Sequence, residues 1–230
     1  MALRFGLGVV MIPSMIVPTL TRHDLLTQML KSIDYPVGLL IIINNNPNAN
    51  FEGTDSIPDC VADYRVLNMP ANLGCAASWN LGIKLQPFSS WWFVASDDVV
   101  FEPGALEKFA RECSPDRLTI SDEWPHYQFF GVGETVVGEK VGLFDEGFFP
   151  ANFEDDDYQR RCEVAGVKIH RASAPHSHVK QATVHDPEWA EHNARTYGLN
   201  ETYFVRKIDR DDVSAGEWSL KIRRANDWGN

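Results

Sequence analysis

Along the first half of the chain, apolar runs alternate with segments of helical spacing. Met15-Ile16-Val17-Pro18 reads as a buried strand, and after a polar turn the stretch Asp24 to Ile33 carries helical periodicity. Val37 to Ile43 is a continuous apolar run rich in branched residues, which suits a central parallel strand covered on both faces. Tyr64 to Leu67 makes a short third strand. Asn72 to Lys84 has helical spacing with the small residues Ala76, Ala77 and Ser78, and Trp91 to Ala95 is a fourth strand that stops at Ser96-Asp97-Asp98. Pro103 stands at the favoured first-turn position of a further helix, Gly104 to Glu112. This alternation predicts an α/β domain with a parallel sheet and right-handed crossovers. Polar clusters follow three of the strands: Thr19 to Arg22, Asn44 to Asn46, and Ser96 to Asp98. Open α/β sheets bind ligands at the carboxyl ends of their strands, so the three clusters are expected to converge on one crevice. The second half reads as more irregular, with aromatic turns, the acidic stretch Glu154 to Asp157, and helix-like segments from Pro187 to the end.

With 230 residues, the chain is long enough to bury roughly 70% of its unfolded surface, and no long linker divides it. Lys+Arg 21 against Asp+Glu 32 gives a net charge of -11, and both halves are acid-rich. Polyanion binding draws on clustered cations, so nucleic acid is disfavoured as a partner. Cys60, Cys75, Cys113 and Cys162 are too widely spaced for a metal or redox pair and read as free thiols. Phe5 to Leu20 is uncharged and mimics a signal peptide. It contains Pro13 and Pro18, lacks a small-x-small site and is too short to span a bilayer, so the expectation is a cytoplasmic protein.

Four segments carry chemistry. Asp97 and Asp98 at the end of an apolar strand are costly unless a cation or hydrogen bonds meet them, and Mg²⁺ or Mn²⁺ shared with substrate phosphates would do so. The plain alternative is a turn with solvated acids. Glu154, Asp155, Asp156 and Asp157 exceed what helix capping needs, and their mutual repulsion raises at least one pKa, as suits a general base. Arg160 or Arg161 could pair with them. Asn72-Leu73-Gly74 opening a helix offers backbone N–H groups to a phosphate. His176 and His178, two apart on a strand, are candidate metal ligands, against the alternative of an exposed polar loop.

In this order and spacing, the segments from about residue 14 to about residue 180 resemble a glycosyltransferase of the GT-A fold, family 2 type. The resemblance implies a mostly parallel, Rossmann-like central sheet with helices on both faces. It assigns residues 1–186 to the glycosyltransferase domain, with a nucleotide-sugar half at about 1–112 and an acceptor half at about 113–186. Residues 187–230 become a helical C-terminal extension, a candidate for packing on the domain, for homodimerisation or for shaping the acceptor site. It further implies donor contacts from Pro18, Thr19, Arg22, Asn44, Asn46, Asn72, Gly74, Asn80, Ser96 and Asp97, with Mn²⁺ or Mg²⁺ on Asp98 and on His178 or His176. Asp155 would be the general base, with Glu154 and Asp157 beside it. Two departures stand out: Asn44 replaces the usual base-reading aspartate, and Ser96 the first acid of the DXD pattern. The implied activity is inverting transfer of a sugar from a nucleotide-diphosphate sugar to a hydroxyl on a glycan, protein or small molecule. The alternatives are a nucleotidyltransferase, whose Gly-rich first loop is missing from Pro18 to Arg22, and a non-catalytic nucleotide-sugar or glycan binder. Trp124, Tyr127, Phe129, Phe130, Phe144, Phe148 and Phe149 are candidate sugar-stacking residues, with ordinary core as the alternative.

Overall fold

The computed structural model describes residues 11–122, 128–178 and 190–216. The expected first half is present: β1 (Ile12–Thr19), α1 (His23–Lys31), β2 (Val37–Asn44), β3 (Val61–Asn68), α2 (Cys75–Leu85), β4 (Trp91–Ala95), β5 (Val99–Phe101) and α3 (Ala105–Glu112). Then come β6 (Arg117–Ser121), β7 (Phe129–Gly133), α4 (Glu154–Val164), β8 (Lys168–Ala172), β9 (His176–His178) and α5 (Ala190–Asp209). A seven-stranded sheet runs in the order β3-β2-β1-β4-β7-β6-β8, and β5 and β9 form a separate pair. The sheet is mostly parallel, as expected, with β7 antiparallel to both β4 and β6.

The continuous apolar run of β2 is explained by its two covered faces. Leu40 and Ile42 join one core cluster with Leu26, Met29 and Phe109, while Leu39, Ile41 and Ile43 join the other with Trp79, Ile83 and Tyr158. Alternation along a strand puts neighbours on opposite faces, so a strand buried on both sides must be apolar throughout. On β1, likewise, Met15 and Val17 face the first cluster and Ile16 the second. Helix α2 lies tight against β1: a Cβ on Gly82 would stand 2.6 Å from Ile16 Cγ2.

Several expectations need correction. Helix α2 begins at Cys75 and not Asn72, because Gly74 adopts φ 79° and its N–H donates to Asn72 Oδ1 at 2.8 Å, which makes a turn. Pro103 lies outside α3, which starts after the left-handed Gly104. The second half also contributes three strands to the large sheet and β9 to the small one. Phe129, Phe130, Phe144 and Phe148 are core residues; Phe149 alone of the aromatic set is exposed, and Trp124 and Tyr127 lie outside the described residues. Helix α5 bears out helical structure in the extension as far as Asp209. Among the described residues, no helix is long and apolar enough to cross a membrane.

Candidate functional site

Parallel register brings the carboxyl ends of the first strands level, Thr19 beside Asn44 and Asn44 beside Asn68. The turn between β4 and β5 sets Asp97 and Asp98 there, and both are buried. Thr19 donates its hydroxyl to Asp97 Oδ2 at 2.6 Å. Burial nevertheless pushes the Asp97 carboxyl up to about 7, with the Thr19 hydrogen bond opposing and the charge of Asp98 adding to the rise. Arg22, paired with Asp24 at 2.7 Å, pulls weakly the other way.

Strand β9 separates the two histidines. Antiparallel pairing puts His178 opposite Val99, next to Asp98, and His178 Nε2 lies 3.1 Å from Asp98 Oδ1. His176 instead sits opposite Phe101, directs Nδ1 to the carbonyl of Ala174 at 2.8 Å, and meets the Phe129 ring edge-on. His178 is therefore the histidine that joins the acids, and His176 is taken up by the core. Beyond its contact with His178 Nε2, Asp98 Oδ1 has no hydrogen-bond partner among the described residues, and neither does the buried His178 Nδ1. The carboxylate of Asp98 and the imidazole of His178 are the groups here that could hold a divalent ion. Among the described residues no three His, Cys, Asp or Glu side chains cluster as a complete metal site, so any ion here depends on ligands from a bound molecule or water.

The acid segment opens α4, where negative charge is favoured by the helix dipole. Glu154 is buried, while Asp155 and Asp156 are half-buried. Burial first, then the neighbouring charge of Asp155, holds the Glu154 carboxyl well above the usual carboxylate range. The Cys75 thiol, at the head of α2, hydrogen-bonds Glu154, and the charges of Glu154, Asp97 and Asp155 act on it. Burial and those charges raise the thiol pKa well above normal, which makes it a packed group and not a nucleophile.

Asp157 does not join the presented carboxylates. It is fully buried, with Lys207 Nζ 2.7 Å from Oδ1 and Arg161 Nη1 3.7 Å from Oδ2. The structure places it in this ion pair, apart from Asp155. Arg161 spends itself mainly on the carbonyls of Val141, Leu143 and Val213, and Arg160 on the carbonyl of Asp212.

Several expected donor contacts are likewise occupied. Asn44 is buried, its amide donating to Ala49 O and Asn68 Oδ1 while its oxygen faces His23 Nε2 and the Asn46 N–H, so it ties loops together and has no group left to read a base. Asn80 spends its amide on Phe144 O and Glu146 and its oxygen on Phe144 N–H, as a core tie. The Cys75 N–H at the head of α2 is taken by Pro150 O at 2.7 Å, which removes one of the phosphate-facing amides expected there. A Cβ on Gly74 would meet the same carbonyl at 2.7 Å. Pro18, Thr19, Arg22, Asn46, Asn72 and Ser96 remain at the strand ends, Asn46 Oδ1 accepting from Asn48 N–H and Ser96 N–H donating to Gln128 O. Asn45, not singled out in the sequence, links β2 to α2 through Ser78 Oγ and Leu73 N–H. The run of three asparagines was a visible signal for it. Cys75, Asn200 and Lys207 had none.

No protein-family profile matches the chain, and no curated protein sequence does so. Solved structures similar to this chain include those of TarS, and at their low identity the shared feature is the fold. Staphylococcus aureus TarS 1-349 superposes with a TM-score of 0.57 at 12% identity, covering 82% of this chain and 70% of that one. The complex of the same TarS fragment with UDP gives 0.57 at 12% identity over 84% of this chain and 70% of that one. Full TarS gives 0.58 at 12% identity, with 84% of this chain matched to 44% of the longer one.

Proposed function

We propose that this chain is a metal-dependent glycosyltransferase that moves a sugar, with inversion, from a nucleotide-diphosphate sugar to a hydroxyl acceptor. The observation that carries the reading is the buried Asp98–His178 pair beside Asp97 at the carboxyl end of β4. The neighbouring fold seen with UDP in TarS supports a nucleotide-sugar donor.

Asp98 and His178 would hold Mn²⁺ or Mg²⁺, which supplies charge stabilisation for the departing diphosphate. Thr19 fixes the orientation of Asp97 at the donor side. Asp155 takes the proton of the acceptor hydroxyl as its oxygen forms a bond to the anomeric carbon and the bond to the diphosphate oxygen breaks. Attack from the opposite face inverts the anomeric carbon without a covalent intermediate. Glu154, whose carboxyl burial holds well above the usual carboxylate range, stands next to that base. The acceptor is a glycan, protein or small molecule, since the net charge of -11 disfavours nucleic acid.

Asp155→Asn separates the roles: donor binding is retained while transfer falls by about 10²–10⁴-fold. Equal loss of binding and transfer would remove Asp155 as the base, and release of pyrophosphate from a nucleoside triphosphate would replace the reading with a nucleotidyltransferase.

A further inference from the structure

The backbone leading into the acid segment is strained and is held from outside. Asn152 (φ 83°) and Phe153 (φ 73°) are consecutive non-glycine residues with left-handed backbones, and Phe153 is the residue from which α4 departs. Such conformations are costly for residues with a Cβ and persist only where their surroundings over-determine them. The surroundings here come from α5. Asn200, buried to 4% exposure, donates its side-chain amide to Ala151 O at 2.9 Å and Asn152 O at 3.3 Å. Tyr197 and Phe204 pack on the Phe153 ring with centroids at 5.0 and 5.6 Å. One turn into α4, Lys207 Nζ meets Asp157 at 2.7 Å and Asp145 at 2.5 Å, and Tyr203 donates to the same Asp145 oxygen at 3.0 Å. Helix α5 thus grips the residues on both sides of Glu154 and Asp155.

We infer that α5 is a positioning element of the catalytic site, with Asn200 its key residue: it fixes the left-handed Asn152–Phe153 pair and so the direction in which Glu154 and Asp155 face the donor. This use of α5 rests on the transferase reading, but the grip on the backbone does not. Asn200 touches no reacting atom and acts through the carbonyls it holds. Packing alone would not demand an asparagine here, because an apolar side chain could fill the volume. The two carbonyls demand a donor.

The test uses the full chain with Asn200→Asp, which keeps the shape and loses the amide donor, and with Asn200→Ala. Hydrogen exchange is read first. In both variants the amides of Asp157 and Tyr158, the first that α4 hydrogen-bonds, should exchange at least tenfold faster, while those of β1 and β2 keep wild-type rates. Unchanged exchange in that first turn overturns the inference whether or not the enzyme turns over. Steady-state transfer is read second. kcat should fall tenfold or more while the KM for the nucleotide sugar stays within twofold, because the donor side is untouched. Wild-type kcat in both variants, or a fall in kcat matched by an equal rise in donor KM, would overturn the positioning role. If exchange responds as expected but the wild type transfers no sugar, the clamp stands and the transferase reading fails.

Discussion

Asp97→Asn is the perturbation with the clearest magnitude. The carboxyl stands at about 7 in the folded protein against an ordinary 3.8, chiefly through burial. Between those values the folded state holds a proton that the unfolded state has released, so stability falls as pH rises, and the full penalty is present above pH 7. At 1.36 kcal/mol per pH unit that penalty is about 4 kcal/mol, and about 2–3 kcal/mol of it develops between pH 5 and pH 8. Asparagine carries no such titration. Urea unfolding of both proteins in EDTA should therefore show the variant gaining on wild type by about 2–3 kcal/mol as pH is raised from 5 to 8. Saturating Mn²⁺ should shrink that gain, because a cation beside Asp97 favours its ionised form and releases the proton. A wild-type-to-variant difference that stays constant with pH would refute the argument, as would one that moves the other way.

Other outcomes follow from the same geometry. Asp98→Ala and His178→Ala should each abolish the Mn²⁺ dependence of donor binding measured by calorimetry, whereas His176→Ala should leave it, since only His178 meets Asp98. Lys207→Met should destabilise by about 3–5 kcal/mol in urea, because it leaves Asp145 as a buried charge without its cation and Asp157 with Arg161 alone. A loss below 1 kcal/mol would mean that the network is not closed as described. Gly82→Ala should cost about 1–3 kcal/mol through the clash with Ile16, and wild-type stability would contradict the close packing of α2 on β1.

Much of this was legible because strand burial leaves a direct mark. The unbroken run of β2 could only be a strand covered on both faces, and Trp91 to Ala95 stopped where the acids began. The second half hid its strands because they are short and their residues look polar or flexible. Lys168-Ile169-His170-Arg171-Ala172 reads as loop until its parallel partner Arg117–Ser121 is known, and Gly131 and Gly133 interrupt β7. The site was legible in its carboxylates, because adjacent buried acids demand a partner. Its amides were not: Asn44 and Asn80 carry the same groups whether they read a ligand or tie a loop, and only their partners decide. Lys207 was beyond reach, since 50 residues separate it from Asp157 and no periodicity links the two.

The central claim is that the strand ends hold a nucleotide-diphosphate sugar through a divalent ion. The most direct test is a thermal-shift panel of UDP-, GDP-, dTDP- and CMP-sugars, each with Mn²⁺ and with EDTA. At 100 times its Kd a ligand stabilises by about 2.7 kcal/mol, well within reach of the method. The account predicts a shift with one nucleotide class that disappears in EDTA and in Asp98→Ala. No shift with any donor in the presence of metal, or a shift that survives both EDTA and Asp98→Ala, would contradict it.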